Sequence, residues 1–545
     1  VSGELSKKVT ELREIAKIEA ERMREANPAQ YFERNLHQLG FSEPEHALLQ
    51  TIKEMTDNAL DAAEVGNILP EIIIEVEETK EEITLPPQAG KIRKANMYRV
   101  RVEDNGIGIV SNKIALSMGK VLFGSKLFTM KQMRGQQGVG ISAVILYSQL
   151  TSLKPATVVS KIEGEEKATK VVLKINVDKN EPIVLEEQKI DWNKEHGTSV
   201  EVFIPARYTD KIDKYILELS IGNPHASFIL RKKIEGKKSE LVINRTTEKI
   251  PPPAKEIKPH LSSVDPGILQ RMAEVDKDCK TLVSFLSKHF ASISPETAKK
   301  ILKAAKLSYN LPPKQIKADK ILEVARNIKL RRPKLEVLSN IGEEAMIAAL
   351  KNRFKDAEFI AAVSRPPWTY QGIPFQVEVG VAIGGKEVAN YINPKRITVI
   401  RLANKVPLPY DLSDCLLYKT VNEIDWKNYG LELNERGVPV VPTVFVTSLV
   451  ASKVPYTSPG KFAVASVEEI HDELTLALQE LGRKIREYTY KKRKQESIAK
   501  RYEFFRGYYE VLAEEVGLIT GGGKVDVSNV LKRLFKEVRN VENVE

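Results

Sequence analysis

Cysteine is nearly absent: the chain carries two in 545 residues, Cys279 and Cys415, far apart and in no CxxC pair. Neither a disulfide framework nor a cysteine-based zinc site can be assembled from them, which points to a reducing compartment, the cytoplasm. A membrane-spanning run is also lacking. The longest apolar stretch, Val438–Ala451, is broken by Pro439 and Pro442 and falls short of the ~20 residues that cross a bilayer. The opening VSGELSKKVTEL is charged and has no apolar core of a secretory signal. Internal repeats and low-complexity tracts are missing too, which excludes solenoid and biased-composition architectures.

Positive charge is abundant. Lys and Arg number 84 against 73 Asp and Glu, for a net charge of +11 and a pI of about 9.1. That excess points to an anionic partner, nucleic acid first, with a merely soluble basic surface as the open alternative. With 42% hydrophobic and 29% charged residues the chain is globular in composition, and its length holds roughly three or four domains.

Apolar residues at helical spacing predict a charged helix over 1–25 and a second over 41–65. Strand patterns such as EIIIEVE, MYRVRVED, TKVVLKINV and TSVEVFI dominate 70–205. The proline run IPPPAKEIKPH at 250–260 reads as a linker. Residues 267–330 are helical and basic. Mixed α/β patterning follows RRP at 331–333, and a long charged helix covers about 465–517, with nine Lys/Arg against two Glu in 483–501.

Four short segments carry chemistry. In Glu54-Met-Thr-Asp-Asn58-Ala-Leu-Asp61, Glu54, Asn58 and Asp61 share a helix face distinct from the apolar stripe. A carboxylate there can deprotonate a water, and a carboxamide oxygen can ligate Mg2+ without adding negative charge. Taken alone, it is equally a solvated polar face. A strand through Tyr98, Val100 and Val102 ends in Asp104-Asn-Gly106-Ile-Gly108. An acid at a strand end accepts a hydrogen bond from an exocyclic amine, and glycines admit a planar ring closely. Gly135-Gln-Gln-Gly138-Val-Gly140-Ile-Ser142 opens an apolar helix in the manner of a phosphate-cradling loop. It lacks the Lys-Ser/Thr of a P-loop and the acidic strand of a dinucleotide fold. His196-Gly197-Thr198-Ser199 precedes a strand, with His196 read as structural.

In this order within 150 residues, the four segments resemble the GHKL ATPases: gyrase-type topoisomerases, the ~90 kDa heat-shock chaperone (a size that is only its name), histidine kinases and mismatch-repair clamps. The resemblance implies Glu54 as general base and Asn58 as Mg2+ ligand. It also implies Asp104, with Gly106 and Gly108, at adenine, and Thr198 supporting that pocket. Gly135, Gln136, Gln137, Gly138, Val139, Gly140, Ile141 and Ser142 would form the lid over the phosphates of ATP.

NPAQYFERN at 27–35, VLFGSK at 121–126, LYSQ at 146–149, YQGIPFQVEVGVAIGG at 370–385, DWKNYG at 425–430 and KVPYTSPGK at 453–461 are similar to the B subunits of type IIB topoisomerases of the topoisomerase VI class. The likeness covers nearly all of 27–500. It implies an α/β (α+β) chain: a GHKL sandwich over 1–255 with an N-terminal helical extension, a helix–two-turns–helix domain over 256–330, a transducer of ribosomal S5-like type over 331–490, and a C-terminal helical region over 491–545. Ser125 and Lys126 would touch nucleotide, and Lys461 would reach the γ-phosphate from the transducer. Trp426, Lys427 and Tyr429 would contact DNA. ATP would close two B subunits into a gate for double-strand passage.

The chain shows neither a Toprim-type acidic cluster nor a marked nucleophile among its 17 tyrosines. DNA cleavage is therefore assigned to a partner, the A subunit, in an A2B2 assembly on double-stranded DNA, in an archaeal-type cytoplasm next to the nucleoid and away from membranes. The alternative is a GHKL DNA clamp of mismatch-repair type without a cleaving partner. Two departures stand out: Ile83–Asn96 looks like an insertion between strands, and the lid has no lysine near Ser142.

Overall fold

The computed structural model describes residues 16–20, 25–41, 43–88, 91–124, 130–135, 138–327, 336–458, 460–522, 526–528 and 530–531. Most of the expected first helix lies outside these residues; 16–20 is helical and exposed.

An eight-stranded sheet is built from β1 (Glu71–Gln88), β2 (Lys91–Glu103), β3 (Ala156–Lys161), β4 (Ala168–Asn176), β5 (Glu181–Ile190), β6 (Gly197–Ala206), β7 (Ser227–Ile234) and β8 (Lys237–Ile243), in the order β5-β4-β3-β6-β2-β1-β7-β8. All neighbours are antiparallel except β1 and β7. Alternation in β4 and β6 places Val171, Leu173, Ile175, Val202 and Ile204 on one buried face. Helices α2 (Pro44–Val65), α3 (Ser111–Gly119), α4 (Gly140–Ser152) and α5 (Lys211–Gly222) supply the residues that pack with it, after the short α1 (Pro28–Arg34). The Ile83–Asn96 segment prolongs the β1–β2 hairpin: Ile83 pairs with Ala95 and Glu82 with Asn96, beyond an irregularity after Glu78.

A separate helical cluster follows, comprising α6 (Pro266–Val275), α7 (Leu282–His289), α8 (Pro295–Ala304) and α9 (Ala318–Asn327) around Leu269, Phe285, Ile301 and Leu322. Ser294 caps α8 by accepting from Thr297 N, with Pro295 at the first helical position.

The second sheet has β9 (Phe359–Ser364), β10 (Trp368–Tyr370), β11 (Ile373–Ile383), β12 (Thr398–Ala403), β13 (Val406–Pro407) and β14 (Thr443–Ala451), in the order β10-β11-β14-β12-β13 with β9 on β11. Every residue of β11 and β14 is buried, since helices cover both faces. Val377, Val379 and Phe445 join one core with α12 (Leu416–Glu423) and α13 (Glu468–Thr520). Ala382, Val444 and Val446 join another with α10 (Glu343–Arg353) and α11 (Lys386–Tyr391). Glu378, buried in β11, accepts from Ile341 N at 3.0 Å and Gly342 N at 2.7 Å just before α10. α13 runs unbroken through position 491; its continuous run of buried residues ends at Ile485.

Trp426 corrects an expectation. Its indole is fully buried, stacked on Phe445 with centroids 4.3 Å apart, and its Nε1–H donates to Val421 O. A side chain with no exposed surface cannot be a DNA contact; the aromatic belongs to the core. Lys427 beside it is exposed and Tyr429 half-buried.

Candidate nucleotide site

α2 begins at Pro44, whose missing N–H costs nothing at a first helical position. Of the polar face expected at Glu54, Asn58 and Asp61, Glu54 and Asp61 are buried, as are Gln50, Lys53 and Asp57 on the same helix. Gln50 Nε2 donates to Glu54 Oε1 at 2.9 Å. Gly140, the first residue of α4, lies against the other oxygen, where a Cβ would fall 2.0 Å from Glu54 Oε2. Asn58, one turn beyond Glu54, is half-exposed between buried neighbours. Asp57 is buried, and its carboxylate has no hydrogen-bond partner among the described residues. Burial, then the Glu54 charge, push it up to about 7.

The opposite wall comes from the second sheet. Residues 456–464 form a loop closed by the Tyr456–Val464 bridge and by Thr457 N donating to Ala463 O. Phe462 fits against Gly40 and packs edge-on to Tyr410. Next to it Lys461, in a left-handed conformation (φ 57°), is buried with Nζ 3.7 Å from Glu54 Oε1 and 3.2 Å from Arg134 O. Gly135, Gly138, Val139 and Gly140 complete a small cavity with Gln50, Glu54 and Lys461.

Asp104 stands at the end of β2. Its Oδ1 accepts from Gly106 N at 2.8 Å and Thr198 N at 3.1 Å. Burial raises its carboxyl to about 6 against these two N–H groups. Thr198 Oγ1 and Ser160 Oγ are 3.0 Å apart, and Ser160 accepts from Ile109 N. Gly108 has φ +72°, and a Cβ there would lie 2.1 Å from Lys161 O, so only glycine fits. His196 Nδ1 pairs with Gly106 O, a structural role. Thr198 lies inside β6, which begins at Gly197.

Glu54, Asn58, Asp104, Gly106, Gly108, Gly135, Gly138, Val139, Gly140, Ile141, Ser142, Thr198 and Lys461 are thus placed on α2, the β2 end, the entry and first turn of α4, the start of β6 and the 456–464 loop. Ser142 Oγ turns back onto Val139 O. Ser125, Lys126, Gln136 and Gln137 lie outside the described residues. Sequence reasoning missed Gln50, although its i,i+4 spacing to Glu54 was a signal. It also missed Glu64, which takes the Arg134 side chain behind the site, and Lys405, which pairs with Glu64.

A helix bearing Glu and Asn, an acid at a strand end and a glycine turn opening a second helix, over a mixed sheet, define the GHKL class of ATPases. Residues 43–207 match the family model described as histidine kinase-, DNA gyrase B-, and HSP90-like ATPase, and 333–501 that of the topoisomerase VI B subunit transducer. The chain is 37% identical over 519 residues to the B subunit of type 2 DNA topoisomerase 6 from Archaeoglobus fulgidus, covering 94% of this chain and 82% of that one. It is also 37% identical over 535 residues to its counterpart from Sulfurisphaera tokodaii, covering 96% of each. The chain belongs to the family of type 2 DNA topoisomerase 6 B subunits, and it is the ATPase subunit of a type IIB topoisomerase. The transducer match sets the mismatch-repair clamp aside.

Proposed function

We propose that the chain hydrolyses ATP between its two α/β units and uses the cycle to open and close a gate of two B subunits, through which double-stranded DNA passes while the A subunit, the cleaving partner, cuts and reseals. The observation that carries this reading is Lys461 reaching Glu54 from the second sheet. Glu54, oriented by Gln50, takes the proton of the attacking water. Asp104 accepts from the adenine amine, with Thr198 holding the carboxylate. The Lys461 ammonium offsets charge on the γ-phosphate, which supports ATP-specific closure because ADP lacks that group. The half-exposed carboxamide of Asn58 offers a hard oxygen donor one turn from Glu54, which suits Mg2+. When bound, that ion supplies charge neutralisation on the phosphates.

We place the functional units at 1–255, 256–330 (helix–two-turns–helix), 331–490 and 491–545. Beyond Ile485, α13 exposes Tyr490, Phe504, Tyr508, Val511 and Leu512, which supports docking of the A subunit in an A2B2 assembly. Exposed Lys427, with Tyr429, and the basic helical unit support contact with DNA phosphates. No described helix is long and apolar enough to cross a membrane, and the location proposed is the cytoplasm beside the nucleoid.

The test is Lys461→Ala, with interdomain distances measured under ADP and under a nonhydrolysable ATP analogue. Loss of analogue-specific closure with ADP binding retained is expected; wild-type closure overturns the reading. Co-purification with the A subunit, followed by ATP-dependent decatenation, tests the assembly.

A further inference from the structure

Three consecutive residues immediately before the lid are each fastened to a different part of the second α/β unit. Gln132 exchanges two 2.8 Å hydrogen bonds with the Ser339 backbone. Met133 O accepts from Asn404 Nδ2 at 3.1 Å, and Arg134 O accepts from Lys461 Nζ. The Arg134 side chain turns the other way, to Asp61 at 2.9 Å, to Glu64 at 2.7 and 3.0 Å, and to Asn223. Glu64 also takes Lys405 Nζ at 3.1 Å and pairs with His225 at 3.0 Å.

Asn404-Lys405 is the two-residue tip of the β12–β13 hairpin, with Ala403 paired to Val406. Both tip residues have positive φ, 49° and 68°. A primed turn of this kind favours Asn and then Gly. Here the second place is held by a lysine whose buried side chain reaches Glu64 of the first unit and Ser339 Oγ of its own. An unfavourable backbone position held by a long charged side chain marks a site kept for its contact rather than for its turn. The group is also balanced, with two carboxylates (Asp61, Glu64) against two cations (Arg134, Lys405). Although burial opposes ionisation, Arg134 and Lys405 hold Glu64 well below the usual carboxylate range.

We propose that Lys405, Glu64 and Arg134 are positioning residues: a buried clamp that locks the lid root to the hairpin tip, so that motion of the transducer moves the lid and the Lys461 contact together. This rests on the ATP-driven coupling proposed above. Cutting the clamp leaves the adenine pocket intact and loosens the hold of the hairpin tip on the lid root.

Lys405→Gly tests it, because Asn-Gly keeps the primed turn and removes only the side chain. Expected are an ADP affinity and KM close to wild type, a kcat lowered roughly tenfold to hundredfold as for a displaced catalytic group, and loss of closure by the ATP analogue. Lys405→Arg should restore closure. A wild-type kcat and normal closure in Lys405→Gly overturn the proposal, whatever its melting temperature. If that variant does not fold, Ser339→Ala, which removes the hydroxyl partner of Lys405, replaces it. A drop in kcat at unchanged KM supports the clamp, and unchanged kcat and closure overturn it. Lys461→Met, measured in parallel, keeps the two readings apart: normal closure there removes the γ-phosphate switch, whereas normal closure in Lys405→Gly with Lys461→Met defective removes the clamp alone.

Discussion

Lys461 Nζ lies 3.7 Å from Glu54 Oε1, the lysine on a loop of one sheet unit and the glutamate on a helix of the other. Both are buried, so each charge depends on the other and on Gln50 and the Arg134 carbonyl for its solvation.

Glu54→Gln should keep the side-chain volume while removing the base. ATP turnover is expected to fall by about 10²–10⁴, with nucleotide affinity close to wild type. Single-turnover hydrolysis and equilibrium binding check this, and a turnover within error of wild type reassigns the base.

Gly140→Ala introduces one methyl 2.0 Å from Glu54 Oε2. Alanine is favourable in a helix, so the melting temperature should change little. The displaced carboxylate should cost about 10² in kcat, the order expected for ~1 Å of misplacement. A fully active Gly140→Ala enzyme would show that Glu54 is not held against α4.

Asp104 gives a pH signature. Its carboxyl, raised to about 6 by burial, must be ionised to accept a charge-assisted bond from adenine. ATP affinity should therefore fall as pH drops through about 6, and Asp104→Asn should flatten the profile. Folding runs the other way: the raised group contributes stability below its unfolded pKa and loses it as pH rises through about 6. Opposite slopes in binding titrations and in denaturant midpoints are the expected result.

Trp426→Ala and Lys427→Ala should separate cleanly. The first empties a fully buried site stacked on Phe445 and should destabilise the protein by about 3–5 kcal/mol. The second leaves the melting temperature unchanged and weakens DNA binding, whose affinity should fall steeply with salt. Salt-independent binding removes the phosphate-contact argument.

Much of the architecture was legible locally. The i, i+3, i+4 pattern of Leu48, Ile52, Met55 and Ala59 gave α2 within three residues of its start. Alternation gave the β2 strand, which ends at Glu103, one residue before Asp104, and Gly140 opens a helix as its motif implied. Burial of the polar face of α2 was not legible, because the lid residues and the Lys461 loop that cover it come from far along the chain. WKNY was misread for the same reason: a motif says which side chains are adjacent, not which of them faces the core.

What the sequence determines by itself is therefore the set of chemical groups and the local element that carries each: a carboxylate and a carboxamide on one helix, an acid at a strand end, glycines at a helix entry. Periodicity and turn chemistry act over a few residues, and that is as far as they reach. Tertiary structure alone decided that Lys405 crosses to Glu64 and that Trp426 turns inward, and it set how closely Lys461, expected from the family likeness to reach the phosphates, meets Glu54. Those outcomes depend on which distant segments exclude water from the same space, and only the folded packing of the two sheets sets that.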